Sequence, residues 1–214
     1  KRWRSLLAKH HTYPTSKFKN EVIGLSDSVG SRLVTRDELE SFCTDYVVTD
    51  VPEIAKRFDA IVAGVDWSGG GANGQSHTAL WIWGVHRSSG LHRMELETLY
   101  FKIYPENNPM SSDIVAHIIK ACAHYQVNMV LGDAGGGALA NNHLQQAFGT
   151  ARARQVQYRA MASSAAGRPS FYWNKNDRYM AEKTTMIDHF LIYVKNGGVR
   201  YPISSQMSET FRHM

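Results

Sequence analysis

The spacing of apolar and polar residues becomes regular near residue 58. Short apolar runs at 61–66, 78–85, 93–104 and 127–131 have the length and composition of β-strands. The runs at 61–66 and 127–131 are apolar at nearly every position, which is typical of strands buried on both faces. Because no helical pattern separates the first three runs, we predict that they pair as an antiparallel meander.

After this meander, helical and strand patterns alternate. We predict a helix that begins at Ser112, because Ser and Asp residues cap helix starts. A second helix is predicted at 138–148 and a further strand at 154–159. A segment rich in Ala, Ser and Gly at 162–170 predicts a loop.

A long amphipathic helix is predicted at 178–194. Its proposed buried stripe consists of Met180, Thr184, Ile187, Leu191 and Val194. A short strand at 199–202 precedes a final helix. The element order predicts an α/β fold in which three antiparallel strands and then parallel strands form a mixed sheet flanked by helices.

Residues 1–58 lack the strand pattern, and we interpret them as a linker or extension. Thr35 and Glu38 have the spacing of a capping box at the start of a helix in this region. The main domain is predicted to span 59–214. Because the chain does not begin with Met and ends inside a helical pattern, we interpret it as part of a longer protein.

Composition narrows the functional classes only slightly. The 214 residues carry a formal net charge of +5, which suits a polyanionic partner but also many proteins that have none. Cys43 and Cys122 form neither a disulfide framework nor a zinc pattern, and we expect Cys122 to lie in the core. No apolar run approaches the ~20 residues of a membrane-spanning helix, and we expect a protein of the cytosol.

Two acidic residues provide the candidate chemistry. Asp66 and Asp133 each end an apolar run and precede glycines. Carboxylates at the ends of neighbouring buried strands suit Mg²⁺, and nucleases use pairs of such ions on phosphodiesters. We therefore predict a two-metal site, with Asp66 on a central strand bridging the ions. The alternative is that each Asp only begins a turn.

Basic and aromatic residues are interleaved between residues 152 and 195, a composition that suits contact with a nucleic-acid backbone. Lys175, Arg178 and Lys183 are our predicted DNA contacts. The alternative is a solvated surface above ordinary core aromatics. The glycines at 69–74 lack the Lys-Ser/Thr of a Walker motif, and the chain contains no H-E-x-x-H or G-x-S-x-G sequence.

These motifs resemble the nuclease domain of tailed-phage terminase large subunits. The resemblance is carried by residues 64–71 (GVDWSGGG) followed by 76–80 (SHTAL), and by residues 131–137 (LGDAGGG). Residues 16–25 and 33–39 are similar to the stretch that joins the ATPase motor to the nuclease in that family.

The resemblance implies an RNase H-like fold and a Mg²⁺- or Mn²⁺-dependent endonuclease that cuts concatemeric double-stranded viral DNA. Asp66 matches the first catalytic, metal-binding acid of the family and Asp133 the second. The third acid is expected beyond Met214, and Asp188 is the candidate within the chain. In the whole protein the partners would be an ATPase domain, the portal and a small terminase subunit, in the cytoplasm of the bacterial host.

Three alternatives stay open from the sequence. The first is another RNase H-like nuclease of the resolvase or transposase type. The second is a DNA-binding module that retains the fold without catalysis. The third is a sugar-kinase-like ATPase fold, which also begins with a strand, an Asp and glycines. It is the weakest, because its phosphate-handling residues are not evident downstream.

Overall fold

The computed structural model describes residues 36–46, 48, 56–68, 77–87, 94–104, 112–159, 171–174 and 178–207. The chain divides into two compact units, Lys1–Ser41 and Phe42–Met214. The first contains helix α1 (Arg36–Ser41). Thr35, the predicted cap of this helix, lies outside the described residues.

Among its described residues the second unit contains eight strands and three complete helices, and residues 204–207 are also helical, where the final helix was predicted to begin. The strands are β1 (Ala60–Asp66), β2 (Thr78–Arg87), β3 (Met94–Tyr104), β4 (Met129–Asp133), β5 (Ala153–Arg159), β6 (Phe171–Asn174), β7 (Arg178–Glu182) and β8 (Val199–Arg200). The helices are α2 (Ser112–His124), α3 (Ala138–Phe148) and α4 (Lys183–Lys195). Within the described part of the chain, no helix has the length and apolar character needed to cross a membrane.

The strands form one mixed sheet in the order β6-β7-β5-β4-β1-β2-β3-β8. Strands β1, β2 and β3 pair antiparallel, whereas β4 is parallel to β1 and β5 is parallel to β4. Strand β7 continues the parallel part, and β6 pairs antiparallel with it at one edge. The predicted α/β class and mixed sheet are confirmed, and the arrangement is compatible with an RNase H-like fold.

The core lies between one face of the sheet and helices α2 and α3. Alternate residues of β1, namely Ile61, Ala63 and Val65, are buried in the same cluster as Ile118 of α2 and Leu144 of α3. Each fully buried Ile, Leu or Val side chain of this cluster contributes about 1.5–3 kcal/mol. Cys122 is completely buried in this cluster, as predicted.

The helix predicted at 178–194 is wrong in its first five residues. Arg178–Glu182 forms β7 and pairs with β5 and β6, and helix α4 begins only at Lys183. Met, Ala and Glu favour helices in isolation, but strand pairing on both sides of β7 outweighs that preference.

The predicted buried stripe of this helix is also mostly wrong. Of its five residues only Val194 is buried, while Thr184 is exposed and the other three are half-buried. Strand β6 was not predicted. The predicted loop at 162–170 lies outside the described residues.

Residues 42–46 contact the β3 and β8 side of the sheet. The backbone N–H and the hydroxyl of Thr44 both donate to the carbonyl oxygen of Tyr201, each at 2.9 Å. The Tyr46 hydroxyl lies 3.0 Å from the carbonyl oxygens of Thr98 and Arg200. The functional division of the chain at residue 58 stays a prediction.

Candidate functional site

Asp66 and Asp133 lie beside each other at one edge of the sheet. Asp66 is the last residue of β1 and Asp133 is the last residue of β4, and these two strands are adjacent and parallel. Val65 is paired with Gly132, so the next residue on each strand is one of the two acids. Residues in register on neighbouring strands project from the same face of a sheet, and neighbouring strands lie about 4.8 Å apart. The two carboxylates therefore share one face and one edge.

The two acidic groups influence each other electrostatically. Partial burial raises the pKa of Asp66, although its outer side is exposed, and the negative charge of Asp133 raises this pKa further. The ammonium group of Lys183 acts in the opposite direction. The site is therefore a place where negative charge is crowded and where an added cation would be stabilised.

The turn after β4 uses one oxygen of the Asp133 carboxylate. The backbone N–H of Gly135 donates to Asp133 Oδ1 at 3.0 Å, which is the geometry of an Asx turn. A carboxylate offers about four lone-pair positions, so this turn leaves room for a cation on the same group. The turn interpretation and the metal interpretation of Asp133 are thus compatible.

A buried hydrogen-bonded bridge fixes the two strand ends. The indole N–H of Trp67, the residue after Asp66, donates to Asn141 Oδ1 at 2.9 Å. The amide nitrogen of Asn141 donates to the carbonyl oxygen of Asp133 at 2.8 Å. Because Trp67 and Asn141 are both buried, helix α3 holds the ends of β1 and β4 in a fixed relation.

Two of the glycines around Asp133 make room for this bridge. A Cβ atom on Gly132 would fall on Asn141 Oδ1 and lie 3.0 Å from Trp67 Nε1. A Cβ atom on Gly137 would fall on the indole ring of Trp67. The glycine-rich motif therefore has a steric cause in the packing beneath the acids.

The chain just beyond Asp66 is also fixed. The backbone N–H of Ser68 donates to the hydroxyl of Thr78 at 3.1 Å, and both residues are fully buried. This bond joins the exit of β1 to the start of β2. The glycines at 69–74 lie outside the described residues.

Tyr158 is one of the aromatic residues in the interleaved stretch 152–195, but the sequence did not predict that it lies beside the acids. Burial raises the pKa of its hydroxyl, and the charges of Asp133 and then Asp66 raise it further. It lies two residues beyond Val156, which is paired with Asp133, so it projects from the same face as the acids. Only the register between β4 and β5 could have identified it.

The predicted DNA contacts do not all lie with the acids. Lys183 lies close to the acids, because its charge lowers the pKa of Asp66 and its Nζ lies 5.6 Å from the centre of the Tyr158 ring. Arg178 instead donates to Gln157 Oε1 at 3.0 Å. Gln157 alternates with Tyr158 along β5, so Arg178 lies on the opposite face of the sheet. Lys175 lies outside the described residues.

Asp188, the candidate third acid within the chain, is exposed on α4. Among the residues that the structure describes, no three His, Cys, Asp or Glu side chains come together in a group that could hold a metal ion. Asp188 is therefore not gathered with Asp66 and Asp133 into such a group.

No protein-family model matches this sequence, and no curated protein matches it. The resemblance to terminase nuclease domains therefore stays a prediction from the motifs around Asp66 and Asp133. The case for a function depends on the chemistry of the site itself.

Proposed function

We propose that this chain is a Mg²⁺- or Mn²⁺-dependent endonuclease that cuts double-stranded DNA. The observation that supports this most directly is the pair of carboxylates at the ends of two adjacent parallel strands. Asp66 and Asp133 share one face, and each is fixed by backbone that is buried or hydrogen-bonded. Ligands bind preferentially at the carboxyl ends of parallel strands, which also favours a functional role for this edge.

The residues at this edge fit a hard divalent cation. Mg²⁺ prefers oxygen ligands and usually takes one or two carboxylates from the protein, and Asp66 and Asp133 would provide them. Burial and then the negative charge of Asp133 raise the pKa of Asp66, and a bound cation would stabilise the charged carboxylate against both effects. When bound, such ions would activate a water molecule and stabilise the leaving oxygen of a phosphodiester.

Lys183 and Tyr158 would contribute to the substrate side of the site. Lys183 is exposed at the first position of α4 and close enough to Asp66 to shift its pKa, so its ammonium group would attract a DNA phosphate near the acids. The half-exposed ring of Tyr158 lies beside this lysine and close enough to the carboxylates for their charges to raise its pKa, so it would restrict how a strand enters.

The first test is cleavage of supercoiled plasmid with Mg²⁺, with Mn²⁺ or with EDTA. We expect nicking and linearisation that need the metal and that are lost in Asp66→Asn and Asp133→Asn. The loss should exceed the roughly 10–100-fold effect of removing an outer-shell partner of a metal ligand. Asp113→Asn is the matched control, because Asp113 is an exposed acid in the first turn of α2.

Binding of Mn²⁺, followed by electron paramagnetic resonance without DNA, provides a readout that does not depend on catalysis. We expect the unmutated chain and Asp113→Asn to bind the ion and Asp66→Asn to bind it more weakly. Full cleavage by Asp66→Asn, or Mn²⁺ binding that this change leaves unaltered, would overturn the proposal.

The wider setting follows from the resemblance alone. In a terminase large subunit this domain would act in the cytoplasm of the bacterial host, together with an ATPase domain, the portal and a small terminase subunit. Cleavage of duplex plasmid favours this role. Cleavage confined to four-way junctions would instead favour an RNase H-like resolvase.

A further inference from the structure

An exposed group of aromatic side chains lies on the same face of the sheet as the two acids. Its rings are Phe171 and Trp173 on β6 and Tyr179 on β7, and the Arg154 side chain on β5 packs against them; we call these four residues the aromatic platform. Phe171 and Trp173 are 41% and 40% exposed. Large aromatic side chains that remain in solvent on an edge strand are typical of a binding surface.

The side chains of the platform pack against one another. The Phe171 and Tyr179 rings stack with centroids 4.8 Å apart, and Trp173 meets Tyr179 edge-on at the same distance. The Arg154 guanidinium lies 4.3 Å from the centre of the Trp173 ring. These contacts hold the exposed rings in place, so little conformational entropy would be lost when a ligand binds them.

The strand register fixes where the platform lies relative to the acids. Asp133, Val156, Tyr179 and Trp173 are successive partners in one row across β4, β5, β7 and β6. Three strand spacings of about 4.8 Å place the Trp173 backbone about 14 Å from that of Asp133. This distance corresponds to roughly four base-pair steps of B-form DNA at ~3.4 Å each.

The chemistry of the platform favours a nucleobase. Arg154 is the charged residue of β5, β6 and β7 that lies on the platform's face, because strand parity places Arg159, Arg178 and Glu182 on the opposite face, and its positive charge suits a polyanion. Aromatic rings stack on bases, and arginine adds cation–π and phosphate contacts. Bases within a duplex are already stacked on each other, so exposed rings of this kind select unpaired bases.

We propose that the aromatic platform stacks an unpaired base of the DNA, about four nucleotide steps from the carboxylate pair. The chain would then bind DNA that has a single-stranded segment more tightly than fully paired DNA. This inference extends the proposed function, because the same DNA would reach Asp66 and Asp133.

The test measures binding of short fluorescently labelled oligonucleotides by anisotropy, in EDTA so that nothing is cut. The substrates are a single strand, a blunt duplex and a duplex with a single-stranded overhang, at one salt concentration. We expect Trp173→Ala to weaken binding of the single strand and the overhang by about tenfold, the loss of one stacked base, and to leave duplex binding unchanged. Trp173→Phe should retain most of the affinity.

Ile192→Ala is the matched control, because Ile192 is an exposed apolar residue of α4 outside the platform. Quenching of 2-aminopurine in the unmutated complex tests stacking without any substitution. Equal losses on single-stranded and duplex DNA, unchanged binding by Trp173→Ala, or unquenched 2-aminopurine would overturn the proposal. Because these binding assays contain no metal, they can refute base stacking while Asp66-dependent cleavage persists. If stacking is observed but cleavage is not, only the proposed nuclease activity is refuted.

Discussion

A single methyl group on Gly132 should disrupt the buried bridge beneath the acids. The backbone of Gly132 lies in a strand conformation that alanine can adopt, so any effect of Gly132→Ala must come from packing. The added Cβ would fall on Asn141 Oδ1. Asn141 would have to move, and both of its hydrogen bonds would weaken or break.

The expected cost can be worked out from these contacts. The buried indole N–H of Trp67 would lose its acceptor, which costs about 1–3 kcal/mol, and the bond from Asn141 to the Asp133 carbonyl is worth about 0.5–1.5 kcal/mol. Replacing glycine with alanine restricts the unfolded chain and returns about 0.4–1 kcal/mol. Together these contributions predict that Gly132→Ala lowers the free energy of unfolding by about 0.5–4 kcal/mol.

Gly64 provides the matched control. It lies in β1, and a Cβ atom placed on it meets nothing within 4 Å. Gly64→Ala should therefore be neutral or slightly stabilising. Urea unfolding followed by circular dichroism measures both variants, and a loss of 3 kcal/mol would shift the midpoint by roughly 1–3 M.

A double-mutant cycle tests the cause of the effect. In a chain that already carries Asn141→Ala, the collision with Asn141 is absent and only the 3.0 Å approach to Trp67 Nε1 remains, so Gly132→Ala should cost less than about 1 kcal/mol. The reasoning is refuted if Gly132→Ala and Gly64→Ala differ by less than about 0.5 kcal/mol, or if the cost of Gly132→Ala is the same with and without Asn141.

Two further predictions concern charge. A raised pKa in the folded state means that Asp66 favours folding when protonated, and this contribution is lost as the pH rises through the folded pKa. Without metal, Asp66→Asn should therefore increase the free energy of unfolding at neutral pH, and this gain should disappear at acidic pH. Urea unfolding at neutral pH measures the effect, and a variant that is less stable than the unmutated chain would contradict the prediction. Glu182 caps α4 by accepting a 2.7 Å hydrogen bond from the Thr185 N–H, and bonds from the Thr185 hydroxyl and N–H lower its pKa. Its contribution to stability should be present above the ordinary Glu pKa and lost as the pH falls through the lowered one. Glu182→Ala should therefore reduce thermal stability at neutral pH more than Glu182→Gln, which keeps an acceptor for the cap but loses the charge, and equal melting temperatures for the two variants would count against the cap.

Local sequence patterns predicted the part of the fold that surrounds the acids. The strand that ends at Asp66 and helix α3 were predicted nearly to the residue, because their apolar periodicity and flanking glycines are local signals. The segment that begins at Arg178 failed for the opposite reason. Its helix-favouring residues form a strand only because β5 and β6 flank them in space.

The candidate site divides in the same way. Asp66 and Asp133 could be selected from their own strands, because each ends an apolar run before glycine. Tyr158 and Asn141 could not, because their positions depend on how β4 lies against β5 and on how α3 packs under the strand ends. The position of Arg178 could not be predicted either. The face on which it lies depends on the alternation of residues along β7, and the sequence predicted a helix at this segment.

The buried bridge also explains how two like charges are held together. Asp66 and Asp133 repel each other, and the charge of Lys183 opposes that effect on Asp66. What keeps the strand ends in place is instead apolar burial and the hydrogen bonds of Trp67 and Asn141. Such an arrangement lowers stability in the free protein, and a bound cation would recover part of that loss by mass action. A pair of like charges that weakens the fold, held in place by a buried scaffold, is the pattern expected of a functional site.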